Sequence, residues 1–258
     1  MEITPEQFAI IEDLLPVQRG NVKLLNLDVL NAVLHIAEHG CKWRGLPERF
    51  GNWHSVYMRA NRWAKQGVLE KVFLALQEAE IINIRVDHVS LDSTAVKVHP
   101  DGTGAFKKNG PQSIGKSRAG WTTKIHMVAA GAQTAVTFSL SPGQAGDAPE
   151  GRKLLNTLKD KRWKGTKVLM DRAYEGDETR QLVLDLEMAP VVPPKRNRRN
   201  PWEYDKELYK KRNEVERLFR RLKGFRRIFS RFEKLDVMFV FFIHFALIVD
   251  TLFSVNRP

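Results

Sequence analysis

The sequence predicts an α/β protein: a mixed β-sheet with helices packed on it, preceded by a helical N-terminal region. Three features of the 258-residue chain lead there. Residues 1–80 read as short helices separated by capping and turn signals. From about residue 85 the pattern changes to runs rich in β-branched and apolar residues. After Pro142-Gly143, short apolar runs alternate with helical segments, so a hairpin-type run is followed by strand–helix units.

In chain order, Thr4 and Gln7 have capping-box spacing around Pro5, and the helix they open should end near Pro16. A second helix is expected over Leu27–His39, with Gly40 suited to its stop. Trp43-Arg44-Gly45-Leu46-Pro47 is a turn-rich link. A third helix from Asn52 to about Gly67 carries Tyr57, Arg59, Arg62, Trp63 and Lys65. Short helices ending in a basic, aromatic one fit a helix-turn-helix-like DNA reader. They fit a small packing bundle equally well.

Val86–Thr94 reads as a strand and 101–120 as a Gly-, Lys- and Ser-rich loop. Trp121–Ala130 and Gln133–Leu140 read as strands joined at Gly131. Asp147, with Glu150 at capping-box spacing, should cap a helix reaching about Leu158. Lys167–Met170 is a short strand ending on Asp171, a helix follows Gly176, and Val191-Val192 is another strand before Pro193-Pro194. A basic loop, Lys195-Arg196-Asn197-Arg198-Arg199, precedes a long helix expected over Tyr204–Gly224. The apolar stretch Val237–Val249 is interrupted by His244 and is shorter than the roughly 20 residues of a membrane span, so a buried core helix is expected. The chain thus divides into a helical domain, 1–80, and a sheet-containing domain, 81–258.

The formal net charge is +12. Such an excess favours polyanions, since Lys and Arg release counterions from DNA, although a basic protein can lack any nucleic-acid role. Cys41 is the single cysteine, which excludes an internal disulfide framework and a cysteine zinc site and fits a cytoplasmic location. No signal-peptide pattern opens the sequence, and no membrane partner is expected.

Phosphodiester chemistry needs charge neutralisation at the entering and leaving oxygens, which two metal ions roughly 4 Å apart supply. Oxygen-seeking ions such as magnesium require converging carboxylates. Asp92 lies in the apolar run Val89-Ser90-Leu91-Asp92, and Asp171 ends Val168-Leu169-Met170. Taken singly, either could be a turn or capping carboxylate. On the long helix, at about 100° per residue, Tyr209, Arg212, Arg220 and Lys223 fall within roughly 40° of Glu216. Arg227 joins them if the helix continues past Gly224. Val215, Leu218, Leu222 and Phe225 form a separate apolar arc. One acid in a basic stripe suits a phosphate backbone led past a metal ligand, and a solvated face of i,i+4 pairs is the plainer alternative. Glu214 should point away from Glu216, Asp87 should be exposed, His126 should be packed or hydrogen-bonded, and His99 could contact DNA or do nothing.

Tyr209, Arg212, Glu216 and Lys223 reproduce the Y-(2)-R-(3)-E-(6)-K signature of insertion-sequence transposases with a DDE active site. The surrounding Arg212-Asn213-Glu214-Val215-Glu216-Arg217 resembles the group named after insertion sequence five. So do Leu91-Asp92-Ser93-Thr94, Thr122-Thr123-Lys124-Ile125-His126, Met170-Asp171-Arg172-Ala173-Tyr174 and the segment from Cys41 through Trp53. Gly120-Trp121 departs from the paired glycine often found in relatives. The resemblance implies an RNase H-like catalytic domain over 81–258; a DNA-binding role for 1–80 is expected from its basic, aromatic third helix. The resemblance implies that Asp92, Asp171 and Glu216 form a triad holding two Mg2+ ions, for which Mn2+ can substitute. It implies terminal inverted repeats of double-stranded DNA as substrate, cleavage to a 3′-hydroxyl, and joining of that end to target DNA. DNA contacts are expected from Arg212, Lys223, Tyr209, Arg220 and Arg227, from Arg196, Arg198 and Arg199, from Arg59, Arg62 and Lys65, and more broadly from Arg226 and Arg231. A dimer or higher oligomer on DNA is expected. A nuclease that cuts without joining and a non-catalytic regulator derived from a transposase remain alternatives.

Overall fold

The computed structural model describes residues 1–20, 22–84 and 87–255. It contains two compact units, one of residues 1–82, 98–112 and 222–258, the other of residues 83–97 and 113–221. The expected start of the first strand at Val86 lies outside the described residues.

The first unit is helical. Helix α1 (Pro5–Ala9) opens with the Thr4–Gln7 capping box, but gives way to a 3-10 turn at Glu12–Leu14 instead of running to Pro16. Helix α2 (Asn26–His39) ends where Gly40 turns left-handed, at φ 68°. A Cβ there would sit 2.9 Å from Arg226 Cβ, so both conformation and space select glycine. Asn52 caps α3 (Trp53–Lys65), and Gly67 leads into α4 (Val68–Glu78). The remaining elements of this unit are α9 (Arg226–Phe229), β7 (Ser230–Arg231) and α10 (Asp236–Val255).

Helix α10 is apolar nearly all round, its Phe239, Phe242, Ile243 and Phe245 are buried, and it packs on α3 and α4, whose Val56, Ala60 and Val72 are buried too. By length and composition it could cross a membrane, but 67% of its most apolar window is buried inside the protein. That is the behaviour of a core helix. It extends beyond the expected Val237–Val249, and it folds with the N-terminal helices although the sequence division grouped it with the sheet. The apolar face of α10 explains this: it needs the cover that α3 and α4 supply.

The second unit holds the mixed sheet. Its strands are β1 (His88–Val98), β2 (Gly115–Ser117), β3 (Gly120–Gly131), β4 (Thr134–Pro142), β5 (Lys167–Met170) and β6 (Ala189–Val191). The order is β2-β3-β1-β5-β6, with β4 also pairing on β3. The β1–β3 and β3–β4 pairs are antiparallel, and β1–β5 and β5–β6 are parallel. Strand β2 falls in the segment expected to be a loop, where its pairing with Thr122–Gly120 is not visible locally. Helices α5 (Asp147–Leu155) and α6 (Asp177–Asp185) belong to a core in which Val89, Leu91, Val168 and Met170 meet Leu154, Leu155 and Val183.

The long helix expected over Tyr204–Gly224 is broken. Helix α7 (Lys206–Tyr209) passes through a 3-10 turn at Lys210–Arg212 into α8 (Asn213–Lys223). The chain then turns at Gly224 and extended Phe225 before α9, so the helical projection onto Arg227 does not apply. Val215, Leu218 and Leu222 are buried as expected, joined by Phe219, while Phe225 is half-buried.

Candidate carboxylate site

Strand register brings the first two acids together. Leu91 pairs with Met170 across the parallel β1–β5 ladder; Asp92 follows in β1, and Asp171 follows one residue past the end of β5, still extended. Neighbouring strands lie about 4.8 Å apart, and alternation sends both side chains to the face opposite Leu91 and Met170. Asp171 remains extended (φ −77°, ψ 176°) and accepts from Ala173 N at 2.7 Å, which starts the turn Arg172–Tyr174.

The same face receives α8. Glu214 Oε2 lies 3.3 Å from His88 Nε2, so Glu214 has a partner on β1. Arg212 Nη1 donates to Asp92 Oδ2 and Nη2 to Glu216 Oε1, both at 2.8 Å. Asp92 also accepts from Ser93 N at 2.7 Å. Burial pushes the Asp92 carboxyl up to about 6, the Ser93 amide and Arg212 oppose this, and the charges of Asp171 and Glu216 add to the rise. The three acids therefore share one electrostatic neighbourhood.

Ser93, on the other face of β1, donates from Oγ to Asp147 Oδ1 at 2.8 Å, and Lys124 Nζ donates to the same oxygen at 2.9 Å. Asp147 was expected to cap α5. It is instead the first helical residue, after Gly146, and its carboxylate is drawn to the sheet by these two partners. Burial opposes its ionisation, but the Lys124 and Ser93 bonds outweigh that and hold its carboxyl below the usual range. Tyr174 is buried here, with its pKa driven upward by burial and then by the charges of Asp147, Asp92 and Asp171. Lys124, Asp147 and Tyr174 were not assigned roles from the sequence, though Lys124 and Tyr174 lie in motifs that carry the resemblance. His126 is buried and hydrogen-bonded to Ser141 Oγ at 2.7 Å, as expected. His99 stacks on Phe232 at 4.5 Å, and Asp87 is largely exposed beside His88.

The basic residues separate into groups. Arg220, Arg196, Arg199, Arg62, Lys65 and Arg226 are exposed. Lys223 is half-buried, and burial lowers its pKa. Tyr209 is half-buried, with Arg212 over its ring at 5.8 Å. Arg198 pairs with Glu175 and Asp177 and lies over Trp202 at 4.8 Å. Arg59 donates to Leu24 O at 2.8 Å, which ties α3 to the start of α2.

Two expectations are corrected. Arg227 is 5% exposed, pairs with buried Glu233 at 2.9 Å and donates to Cys41 O. Arg231 is fully buried and pairs with Asp236 at 2.7 Å. Both side chains are buried and turned to interior partners instead of lying on the exposed surface.

Among the described residues, no group of three His, Cys, Asp or Glu is set to hold a metal ion as the chain stands. The donor chemistry nonetheless fits a hard divalent cation. Asp92, Asp171 and Glu216 supply only carboxylate oxygens, their mutual repulsion is expressed at Asp92, and two of them already share the guanidinium of Arg212.

A mixed sheet in which β1 pairs antiparallel with β3 and parallel with β5, with helices packed on it, is an RNase H-like α/β architecture. The chain belongs to the insertion-sequence transposases with a DDE domain: residues 86–249 match the family model "Transposase DDE domain". Residues 3–73 match a second model, "Putative transposase of IS4/5 family". The chain is 32% identical over 126 residues to the "Putative transposase for insertion sequence element IS6501" of Brucella ovis, which covers 48% of this chain and 94% of that protein. It is 37% identical over 82 residues to protein y4sN of Sinorhizobium fredii, covering 31% of this chain and 62% of that protein. The fold is similar to that in the cryo-EM structure of the piggyBac transposase synaptic complex with hairpin DNA. The TM-score is 0.54 at 11% identity, over 98% of this chain and 73% of that one.

Proposed function

We propose that this transposase binds the terminal inverted repeats of its insertion sequence, cleaves there to leave a 3′-hydroxyl, and joins that end to target DNA. The observation that carries the reading is the Leu91–Met170 register, which sets Asp92 and Asp171 side by side on the face where Arg212 links Asp92 to Glu216. Asp92, Asp171 and Glu216 would hold two divalent ions, Mg2+ or Mn2+. Bound there, such ions neutralise charge on the scissile phosphate and make a water or hydroxyl oxygen nucleophilic.

Arg212 holds Asp92 and Glu216 in place by charge, and its guanidinium is then available to a phosphate oxygen once those carboxylates have other cations. Lys124 and Ser93 fix Asp147 and thereby the start of α5 against β1, which keeps the Asp92 strand in position. Exposed Arg220, Arg196 and Arg199 provide phosphate contacts, and Tyr209 and Lys223 lie on the same stretch of chain as Glu216. Arg62 and Lys65 on α3 contribute to end recognition by residues 1–80, and two copies of the chain assemble on a pair of ends.

The test uses DNA carrying the ends of the element that encodes the chain. Asp92→Asn, Asp171→Asn and Glu216→Gln should each abolish cleavage in Mg2+, and also strand transfer from pre-cleaved ends, while end binding persists. A variant with near wild-type cleavage would remove its residue from the triad. Cleavage without any joining of pre-cleaved ends by the wild-type chain would reduce the protein to a nuclease.

A further inference from the structure

We propose that a cavity in the first unit, separate from the carboxylate site, receives one unstacked DNA base. The cavity measures about 320 Å³, and its walls include Trp43, Tyr57, Phe106 and Phe232, with Asn61 and Lys234 also lining it. This inference rests on the DNA-binding reading above.

The lining combines aromatic rings with Asn61, Asn109 and Lys234, beside aliphatic Ala105, Leu235 and Met238. Trp43 and Tyr57 meet edge to face at 5.3 Å, whereas Phe232 is already stacked by His99 at 4.5 Å and has Arg227 over it at 5.0 Å, so the rings of Trp43, Tyr57 and Phe106 are the ones a base would use. Phe106 is 74% exposed, so its ring is accessible at the edge of the cavity. A base supplies a flat partner for it, since every base has a π-face and aromatic side chains stack on it without regard to sequence. The Asn61 amide offers both a donor and an acceptor to a base edge. Arg227 and Glu233, which also line the cavity, are more than nine-tenths buried, and each keeps one polar atom, Nε and Oε2, without a hydrogen-bond partner among the described residues. Lys234 lines the cavity and is exposed, as are Lys107 and Lys108 next to Phe106 in the chain, with Lys108 Nζ 5.8 Å from the Phe106 ring. Aromatic rings with ammonium groups beside them suit a flat heterocycle attached to phosphate. Taking a base out of a duplex costs stacking energy, least where the base is already unpaired.

The experiment compares two labelled duplexes of the same sequence, one with a single unpaired 2-aminopurine and one fully paired. Full-length chain should bind the bulged duplex roughly tenfold more tightly, the weight of one base–aromatic stack. The 2-aminopurine fluorescence should fall as the base stacks. Phe106→Ala should abolish the preference and leave paired-duplex affinity unchanged. Lys234→Ala should weaken bulged binding severalfold. Both positions are exposed, and unchanged melting curves will show that the variants fold. Equal affinity for the two duplexes, or a preference that survives Phe106→Ala, would overturn the base pocket while leaving DNA binding intact. No binding to either duplex would overturn the DNA-binding reading and this proposal with it. If Phe106→Ala changed self-association in sedimentation and left the DNA preference alone, the cavity would hold a protein side chain and the proposal would be wrong.

Discussion

Replacing Arg212 with Gln removes the cation that two carboxylates share, and the structure sets the size of the effect. The Arg212 and Asp92 side chains are 18% and 16% exposed, so water screens that pair little. A charge-assisted bond in such a setting contributes about 1.5–3 kcal/mol. The bond to Glu216 is an i,i+4 pair whose acid is 44% exposed, which reduces its share to roughly 0.3–0.5 kcal/mol. The expected loss in metal-free buffer is therefore about 2–3 kcal/mol, because Asp92 is left among like charges. Magnesium should return much of it, since an ion that binds only the folded chain adds stability as its concentration passes the Kd. The gain should be larger in Arg212→Gln than in the wild type, where the ion has to displace the guanidinium. Urea unfolding of both proteins, with and without Mg2+, measures this. Equal stability in metal-free buffer, or equal stabilisation of the two proteins by Mg2+, would refute the reasoning.

Other consequences concern packing, pH and the buried arginines. A Cβ on Gly151 would lie 2.5 Å from Tyr174 Cε1 and 3.1 Å from Leu91 Cδ2, so Gly151→Ala should cost about 1–3 kcal/mol in a melting experiment. Burial pushes His244 down to about 4, below its ordinary 6.5, so the unfolded chain takes up more protons between those values. Stability should be fully present above pH 6.5 and fall as the pH drops towards 4, by at most about 3 kcal/mol. His244→Gln should flatten that part of the profile in urea titrations at pH 5 and pH 7. Arg227→Met strands buried Glu233 and should cost about 3–5 kcal/mol. Arg220→Ala should leave the melting point within experimental error and make the log–log salt slope of DNA binding shallower by about 0.9.

Much of the site was legible in local sequence because Asp92 interrupts an apolar strand, Asp171 follows one, and Glu216 lies in a spaced helical motif. Asp92 and Asp171 could be picked out singly, but their adjacency comes from the β1–β5 register, a pairing between segments nearly 80 residues apart. Asp147 looked like a helix cap because capping residues share its local pattern. Its partners, Ser93 and Lys124, come from strands that only the folded sheet brings near. Arg227 and Arg231 sit in a basic run that reads as surface. Glu233 and Asp236, a few residues on, supply the charges that draw them inside. The helix break at Lys210–Arg212 had no proline or glycine to announce it. The fixed partners of Arg212 on Asp92 and Glu216 accompany the tighter turn, and sequence periodicity does not carry that information. The grouping of α10 with the N-terminal helices was hidden for a related reason. An apolar helix announces that it will be buried without announcing against what.

The most direct measurement is manganese anomalous scattering from crystals of the chain with element-end DNA. The expected result is manganese bound by oxygens of Asp92, Asp171 and Glu216 near the scissile phosphate, with Arg212 released from at least one carboxylate. Manganese bound elsewhere, or none at these three residues at a concentration that supports cleavage, would contradict the assignment of this site.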